Sequence, residues 1–322
     1  MFENIISLIE KHDSIIISGH KNPDGDCFGS AVALKRSISL QFPDKKVYLT
    51  GVGLPEFYDL LLPTDEMSDD IFPQSLGIIV DGNDIPRMED GRIANCKAHL
   101  KIDHHVDIGS FKEGPQFVDE DANSTCDIIT QLLLEAGWPI DVIVANALYL
   151  GILTDSGRFQ FVIDYPETFD RVSMLCAKGA NPKKINSILT IVKESSLVGK
   201  GFVYTHYKKS KHGVVYIVFT KEDLKKINMD TNAASSLVNL IGNIENCPVW
   251  ISFAEYPEGG VRIEIRSNGP EVQPFATKLG GGGHMYAAGA FMSKISLEEV
   301  DKVIEELDEL VLEYKKTHKR RK

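Results

Sequence analysis

The first residues in the chain with the types and spacing for chemistry are an imidazole and two carboxylates, His20, Asp24 and Asp26. They follow the apolar run 15–17, which predicts a buried strand, and they precede a stretch that predicts a helix. A loop at the end of a parallel strand is where open α/β sheets bind their ligands. A proline and a glycine within the loop favour a tight bend, which would bring the three side chains together. Taken alone, the loop is explained equally well as an ordinary solvated turn.

Three further apolar runs also end in histidine or aspartate. The residues concerned are Asp81 after 76–80, Asp103, His104 and His105 after 98–102, and Asp155 after 148–154. Repeated placement directly after an apolar run indicates one site assembled from several elements. Carboxylates and imidazoles without thiolates favour Mn²⁺ or Mg²⁺. These side chains are too many for a single ion, and they suit the pair of ions that is usual for phosphoryl hydrolysis.

These stretches resemble the four motifs of the DHH phosphoesterase superfamily. The motifs are His20-x-x-x-Asp24-x-Asp26, Asp81, Asp103-His104-His105 and Thr154-Asp155-Ser156-Gly157. Further along, Arg266-Ser267 and the run Gly280 to His284 resemble the companion DHHA1 substrate domain. The order and spacing of the motifs are similar to those of the nanoRNase branch, the bifunctional oligoribonuclease and phosphoadenosine-phosphate phosphatase type.

For the first domain, the resemblance implies a centre with two divalent metal ions, Mn²⁺ or alternatively Mg²⁺. One ion would be held by His20, Asp24 and Asp81. The other would be held by Asp26, Asp81, His104 and Asp155, so that Asp81 bridges the two. Water activated between the ions would attack phosphorus in line.

Two residues of the Asp-His-His segment are predicted to act beside the metal ions. His105 would bond a phosphate oxygen or assist the leaving group. Asp103 would orient a histidine, although a structural hydrogen bond in a turn explains it equally well. Asp81 is followed by Gly82-Asn83, where related chains often carry a hydroxyl residue. The details of the phosphate pocket are therefore open at this point.

The second domain is predicted to position the substrate. A glycine run lets a backbone approach a ligand closely, and an arginine suits bidentate phosphate contact. A glycine-rich turn alone is a weak signal. The resemblance implies that this domain captures one end of a short oligonucleotide. The predicted substrate-binding residues are Arg266, Ser267, Gly281, Gly282, Gly283 and His284.

The length of 322 residues favours two domains. Alternating strand and helix patterns predict an α/β fold, with an N-terminal parallel-sheet DHH domain flanked by helices and a smaller C-terminal α/β DHHA1 domain. The expected boundaries are 1–190 for the catalytic domain, 191–209 for a linker and 210–322 for the substrate domain.

Several local predictions concern the chain after Asp155. Residues 159–161 alternate as a short strand would, and residues 291–295 predict a last strand. Ser296 and Glu299 form the pattern of a capping box for a final helix. The basic tail 315–322 is expected to be a frayed, solubilising end.

The net charge of −11 argues against binding of long nucleic acid, which needs an extended basic surface. The five cysteines are scattered, so neither a disulfide framework nor structural zinc is expected. We find no pattern of a signal peptide or a membrane span, and we expect a cytoplasmic enzyme. The resemblance is also compatible with a homodimer through the first domain.

The leading functional hypothesis is a two-metal phosphodiesterase that cleaves very short RNA and linear dinucleotides to mononucleotides. It would also convert 3′-phosphoadenosine 5′-phosphate to AMP. One alternative keeps the chemistry but acts on cyclic dinucleotides. Another, of a different class, is a non-catalytic nucleotide-binding sensor that keeps a relic metal site.

Overall fold

The computed structural model of the chain describes residues 1–107, 109–192, 194–293 and 297–318. The chain divides into two compact units, residues 1–191 and residues 192–322. Among the described residues, no helix is both long and apolar enough to cross a bilayer.

The first unit is built around a five-stranded parallel sheet with the strand order β2-β1-β3-β4-β5. The strands are β1 Ser14–Ser18, β2 Lys46–Thr50, β3 Leu76–Val80, β4 Ala98–Asp103 and β5 Gln116–Val118. Strand β5 is short and lies at the edge, whereas β3 lies at the centre and all five of its residues are buried. This topology confirms the predicted parallel sheet.

Six α-helices accompany this sheet among the described residues of the first unit. They are α1 Glu3–Glu10, α2 Gly25–Gln41, α3 Thr125–Ala136, α4 Val142–Asp155, α5 Tyr165–Ala177 and α6 Pro182–Leu189. Helix α4 is apolar nearly all round and is buried from Val144 to Leu153. It packs closely on α2 and α3. A methyl group at Gly151 would lie 2.2 Å from Cys126 Sγ and 2.6 Å from Asp26 Oδ1, so a larger residue there would push the helices apart.

The second unit contains a six-stranded mixed sheet with the order β10-β11-β9-β8-β7-β6. The strands are β6 Lys208–Lys209, β7 Val214–Phe219, β8 Val249–Glu255, β9 Val261–Ser267, β10 Gly282–His284 and β11 Ala287–Met292. Its helices are α7 Ser195–His206, α8 Lys221–Ile227, α9 Thr231–Ser235, α10 Gln273–Lys278 and α11 Leu297–Thr317. Apolar clusters cover both faces of the sheet, one including α11 and the other including α7 and α8.

One local prediction is wrong and another is correct only in part. Residues 158–160 form turns and residue 161 a bend rather than a strand, because Arg158 and Phe159 have φ values of 60° and 64°, far from the extended region. The predicted last strand is present as β11, but it spans Ala287–Met292 and so begins earlier than predicted. Residue Ser296 of the expected capping box, residues 294–295 of the predicted strand and residues 319–322 of the tail lie outside the described residues.

Candidate metal centre

The carboxyl ends of the parallel strands bring the predicted side chains of the first unit to one edge of the sheet. His20 follows β1, Asp81 follows β3 and the Asp-His-His segment ends β4. Helix α2 begins beside them and presents Asp26, whereas α4 ends there with Asp155. The fold therefore collects one site from strand ends and helix ends that are far apart in sequence.

Asp81 lies at the centre of this cluster, in a left-handed backbone conformation with φ 55°. Such a conformation is uncommon for a residue other than glycine and is often found at functional sites. Its carboxylate lies 3.4 Å from His20 Nε2 and 3.6 Å from both His104 Nε2 and His105 Nδ1. The hydroxyl of Thr125 donates to it at 3.1 Å. Burial favours the neutral acid, but the three histidines prevail and lower the pKa of Asp81.

The carboxylate of Asp26 is buried against the first turn of α3. The backbone N–H groups of Thr125 and Cys126 donate to its two oxygens at 2.7 and 2.8 Å. Burial, followed by the charges of Asp81 and Asp155, nevertheless raises the pKa of Asp26 well above its usual range. Crowded carboxylates of this kind are relieved by a cation placed between them.

His104 lies between three of these carboxylates. Its Nε2 is 3.3 Å from Asp155 Oδ2 and 3.9 Å from Asp26 Oδ2. This buried nitrogen has no hydrogen-bond partner among the described residues. Burial is the main cause that raises the pKa of Asp155 to about 6. An unpartnered imidazole nitrogen facing carboxylate oxygens is a donor set that fits a divalent cation.

The described residues contain three overlapping groups whose ligand atoms are close enough for a metal ion. The groups are His20, Cys27 and Asp81; Asp81, His104 and His105; and Asp26, His104 and Asp155. The structure thus brings together the predicted ligands other than Asp24. That residue is exposed, and its Oδ1 caps α2 by accepting from the N–H groups of Asp26 and Cys27, both at 3.0 Å. Its other oxygen accepts no hydrogen bond from the described residues and could reach an ion.

Cys27 was not anticipated at the site. Its thiol lies under the loop, where it accepts from the backbone N–H of His20 at 3.2 Å. The Asp81 carboxylate and, secondarily, this thiol raise the pKa of His20 to about 12. A buried cysteine in the first turn of a helix carries no sequence signal beyond its hydrophobicity.

Asp103 orients His105 through one carboxylate oxygen, and a buried lysine lies near its other oxygen. Its Oδ1 accepts from His105 Nδ1 at 2.9 Å and from the backbone N–H of His104 at 2.9 Å. The hydrogen bond between His105 Nδ1 and Asp103 is the main cause that raises the pKa of His105. Behind it, the fully buried Lys101 places its Nζ 3.8 Å from Asp103 Oδ2 and 3.6 Å from Asp107 Oδ1. Sequence reasoning missed Lys101, because a lysine on a strand is usually assigned to the solvent-facing side.

In the second unit, Arg266 lies on the half-buried face of β9, where its guanidinium bonds to its own sheet. Its guanidinium is 3.1 Å from Glu264 Oε2 and donates to the carbonyl oxygens of Ile265 and Ala288 at 2.9 and 3.3 Å. Ser267 is on the opposite, buried face and accepts from the N–H of Gly269 at 3.0 Å. Arg266 borders a surface groove of about 450 Å³, whereas Ser267 does not.

The glycine run borders the same groove but is not a loop. Gly282, Gly283 and His284 form the edge strand β10, paired with β11. A methyl group at Gly281 would lie 2.0 Å from the carbonyl oxygen of Gly289, whereas one at Gly282 would meet no atom within 4 Å. The run is thus partly a packing requirement of the sheet. The side chain of His284 lies outside the described part of the structure.

The fold and the site define a two-unit α/β protein with a histidine–aspartate cluster at the carboxyl edge of a parallel sheet. A model of the DHH family, N-terminal domain, matches residues 14–152, and a model of the DHHA1 domain matches residues 205–313. The chain belongs to this DHH family with a DHHA1 domain, which confirms the resemblance found in the motifs.

Named relatives extend over nearly the whole chain. It is 33% identical over 307 residues to the bifunctional oligoribonuclease and PAP phosphatase NrnA of Mycoplasma pneumoniae, covering 94% of each chain. It is 32% identical to a probable NrnA of Streptococcus mutans, covering 96% of this chain and 99% of the relative. The crystal structure of an exopolyphosphatase-related protein from Bacteroides fragilis superposes with a TM-score of 0.84 at 25% identity, covering 99% and 97% of the two chains.

Proposed function

We propose that the protein is a metal-dependent phosphoesterase that hydrolyses very short oligoribonucleotides, including linear dinucleotides, to mononucleotides. The proposed activity also includes removal of a phosphate from 3′-phosphoadenosine 5′-phosphate. The observation that carries the proposal is the cluster around Asp81 and His104, in which three elements supply ligand atoms within 4 Å of His104 Nε2. The names of the relatives in Mycoplasma pneumoniae and Streptococcus mutans support the substrate class.

The metal ligands that we propose are those of the motifs. One ion, Mn²⁺ by preference, would be held by His20, Asp81 and the free oxygen of Asp24, and a second by Asp26, Asp81, His104 and Asp155. The donor set supports this assignment, because it combines imidazole nitrogens with crowded carboxylates. Bound divalent cations would neutralise phosphate charge and lower the pKa of a water molecule.

His105 is proposed to contact the phosphate. Its Nδ1 is committed to Asp103, so the other ring nitrogen, Nε2, is left to face a ligand. The carboxylate raises the pKa of His105 and so favours its protonated form, in which Nε2 can donate to a phosphate oxygen or a leaving oxygen. In this arrangement Asp103 acts through His105 and does not touch the substrate.

The test is hydrolysis of an end-labelled RNA series from two to about twenty nucleotides, with Mn²⁺ and with chelator. We expect metal-dependent release of mononucleotides, fastest on the shortest RNAs. Asp81→Ala should lose both bound metal and turnover, whereas Asp44→Ala, an exposed aspartate outside the cluster, should lose neither. Cleavage of cyclic dinucleotides alone would replace this proposal with the cyclic-dinucleotide alternative. Nucleotide binding without any turnover would replace it with a sensor.

A further inference from the structure

Two cationic side chains beside the cluster have no role in the chemistry described so far. Lys21 and Arg87 belong to two backbone segments that pair with each other next to the site. The N–H of Lys21 donates to the carbonyl of Arg87 at 2.9 Å, and the N–H of Glu89 donates to the carbonyl of Gly19 at 3.0 Å. Between these bonds, His20 forms an antiparallel bridge with Met88. The backbone pairing that holds His20 therefore also holds the backbone of Lys21 and Arg87.

Both side chains line one cavity with members of the cluster. Its volume is about 410 Å³, and its walls include Lys21 and Arg87 together with His20, Asp81 and His105. This size lies within the range of about 300–1,000 Å³ that is common for small-molecule sites. A ligand that fills this cavity from the cluster would therefore also meet Lys21 and Arg87.

The charged groups of these two side chains make few interactions with the described residues of the protein. Among the described residues, Lys21 Nζ donates to the carbonyl of Pro86 at 3.2 Å and takes part in no ion pair within 4.0 Å. Arg87 is 61% exposed, and its Nε is 3.8 Å from Asp84 Oδ1. Arg92 is a contrasting case, because two carboxylates bind its guanidinium at 2.8 Å each. The guanidinium of Arg87 thus keeps its hydrogen-bond donors for a ligand, and guanidinium and ammonium groups are the side chains that bind phosphate.

A third polar group in the cavity, the side chain of Asn83, also suits a phosphorylated ligand. Asn83 lines the wall, and its side-chain oxygen is buried with no hydrogen-bond partner among the described residues. A carboxamide can turn to present either its oxygen or its NH₂ group, so it can donate to an anion or accept from a sugar hydroxyl. A buried polar atom without a partner is otherwise costly.

We propose that Lys21 and Arg87 form a subsite for a second phosphate group of the substrate, adjacent to the phosphate that the cluster cleaves. This inference rests on the proposed function and makes it more specific. The favoured substrates would be nucleotides with two neighbouring phosphates, such as a dinucleotide with a terminal 5′-phosphate or a nucleoside 3′,5′-bisphosphate. Arg266 is less suited to this role, because its guanidinium is already bonded within its own sheet.

The experiment compares two substrate pairs that differ only in the second phosphate. The pairs are the diadenylate pApA against ApA, and adenosine 3′,5′-bisphosphate against adenosine 3′-monophosphate. Each is assayed with wild type, Lys21→Gln, Arg87→Gln, the double variant and Lys178→Gln, an exposed lysine outside the cavity. We expect each single substitution to lower kcat/KM about tenfold on the doubly phosphorylated member, mainly through KM, and less than about threefold on its partner. Lys178→Gln should leave both values unchanged.

Two results would overturn the subsite. Equal losses on both members of each pair would show that the cations contact the cleaved phosphate and not a second one. No loss on either member would show that they do not contact the substrate. If wild type hydrolyses none of these compounds, the proposed function fails, but the subsite is still tested by calorimetric binding of adenosine 3′,5′-bisphosphate. Unchanged affinity in the double variant would then refute it.

Discussion

Replacing Lys101 with methionine tests how the Asp-His-His segment is held. Lys101 and Asp103 are both fully buried, and their charged atoms are 3.8 Å apart. At an effective dielectric constant of about 20, charges at this separation attract by about 4 kcal/mol. In the variant, Asp103 keeps its hydrogen bonds to His105 Nδ1 and to the backbone N–H groups of His104 and His105 but loses the attraction of the ammonium. Because methionine keeps most of the aliphatic packing, we expect the free energy of unfolding to fall by about 3 kcal/mol.

The assay is denaturation of the full chain in the presence of chelator, with Lys97→Met as the matched control. Lys97 is exposed and directly precedes the same strand. For a unit of this size, the loss corresponds to a Tm lower by about 6–12 °C, whereas the control should change by less than about 2 °C.

A second variant separates an electrostatic effect from lost packing. Lys101→Met combined with Asp103→Asn removes the carboxylate that has lost its ammonium partner, so the double variant should recover part of the deficit. A deficit below about 1 kcal/mol at pH 7 in Lys101→Met, or one that Asp103→Asn does not reduce, would refute the interaction between Lys101 and Asp103.

Three further predictions concern the metal and the second unit. The pKa of Asp155 is raised to about 6 and that of His20 to about 12, so each would release a proton on binding an ion as proposed. Mn²⁺ affinity measured by calorimetry should therefore rise at least tenfold from pH 5 to pH 7, and a flat profile would contradict the proposed ligand set. Gly281→Ala should lower the unfolding free energy by about 2 kcal/mol in thermal denaturation and Gly282→Ala by less than about 0.5, because only the first added methyl group meets the sheet. Arg266→Gln should raise KM for short RNA about tenfold with metal content unchanged, and loss of bound metal would sink its assignment to the substrate.

The ends of the strands could be predicted from the sequence because the signal is local. An apolar run followed by aspartate or histidine specifies both the strand and the edge where the polar side chain emerges, and parallel pairing places all such edges together. For this reason His20, Asp81 and His104 converge in the structure as the pattern predicts. Their roles as ligands remain predictions.

The remaining features depend on tertiary contacts that have no local pattern. Phe159 alternates like a strand residue, but the end of α4 and packing against Tyr149 hold it in a left-handed turn. The charge of Lys101 is buried because two acidic side chains lie near it, and nothing in the strand sequence specifies that pairing. Likewise, Lys21 and Arg87 become neighbours only through the backbone pairing between their loops.

The net charge of the whole chain and the charges at the site have different consequences for binding. The net charge of −11 disfavours a long polyanion, whose binding depends on many phosphate contacts at once. A nucleotide with one or two phosphates needs only a few cations, provided that they lie where the phosphates bind. The cavity beside the cluster provides two of these cations, and bound metal ions would compensate the crowded carboxylates. With the proposed subsite, the net negative charge of the chain and the two cations would together favour short substrates, because a longer polyanion needs many phosphate contacts at once.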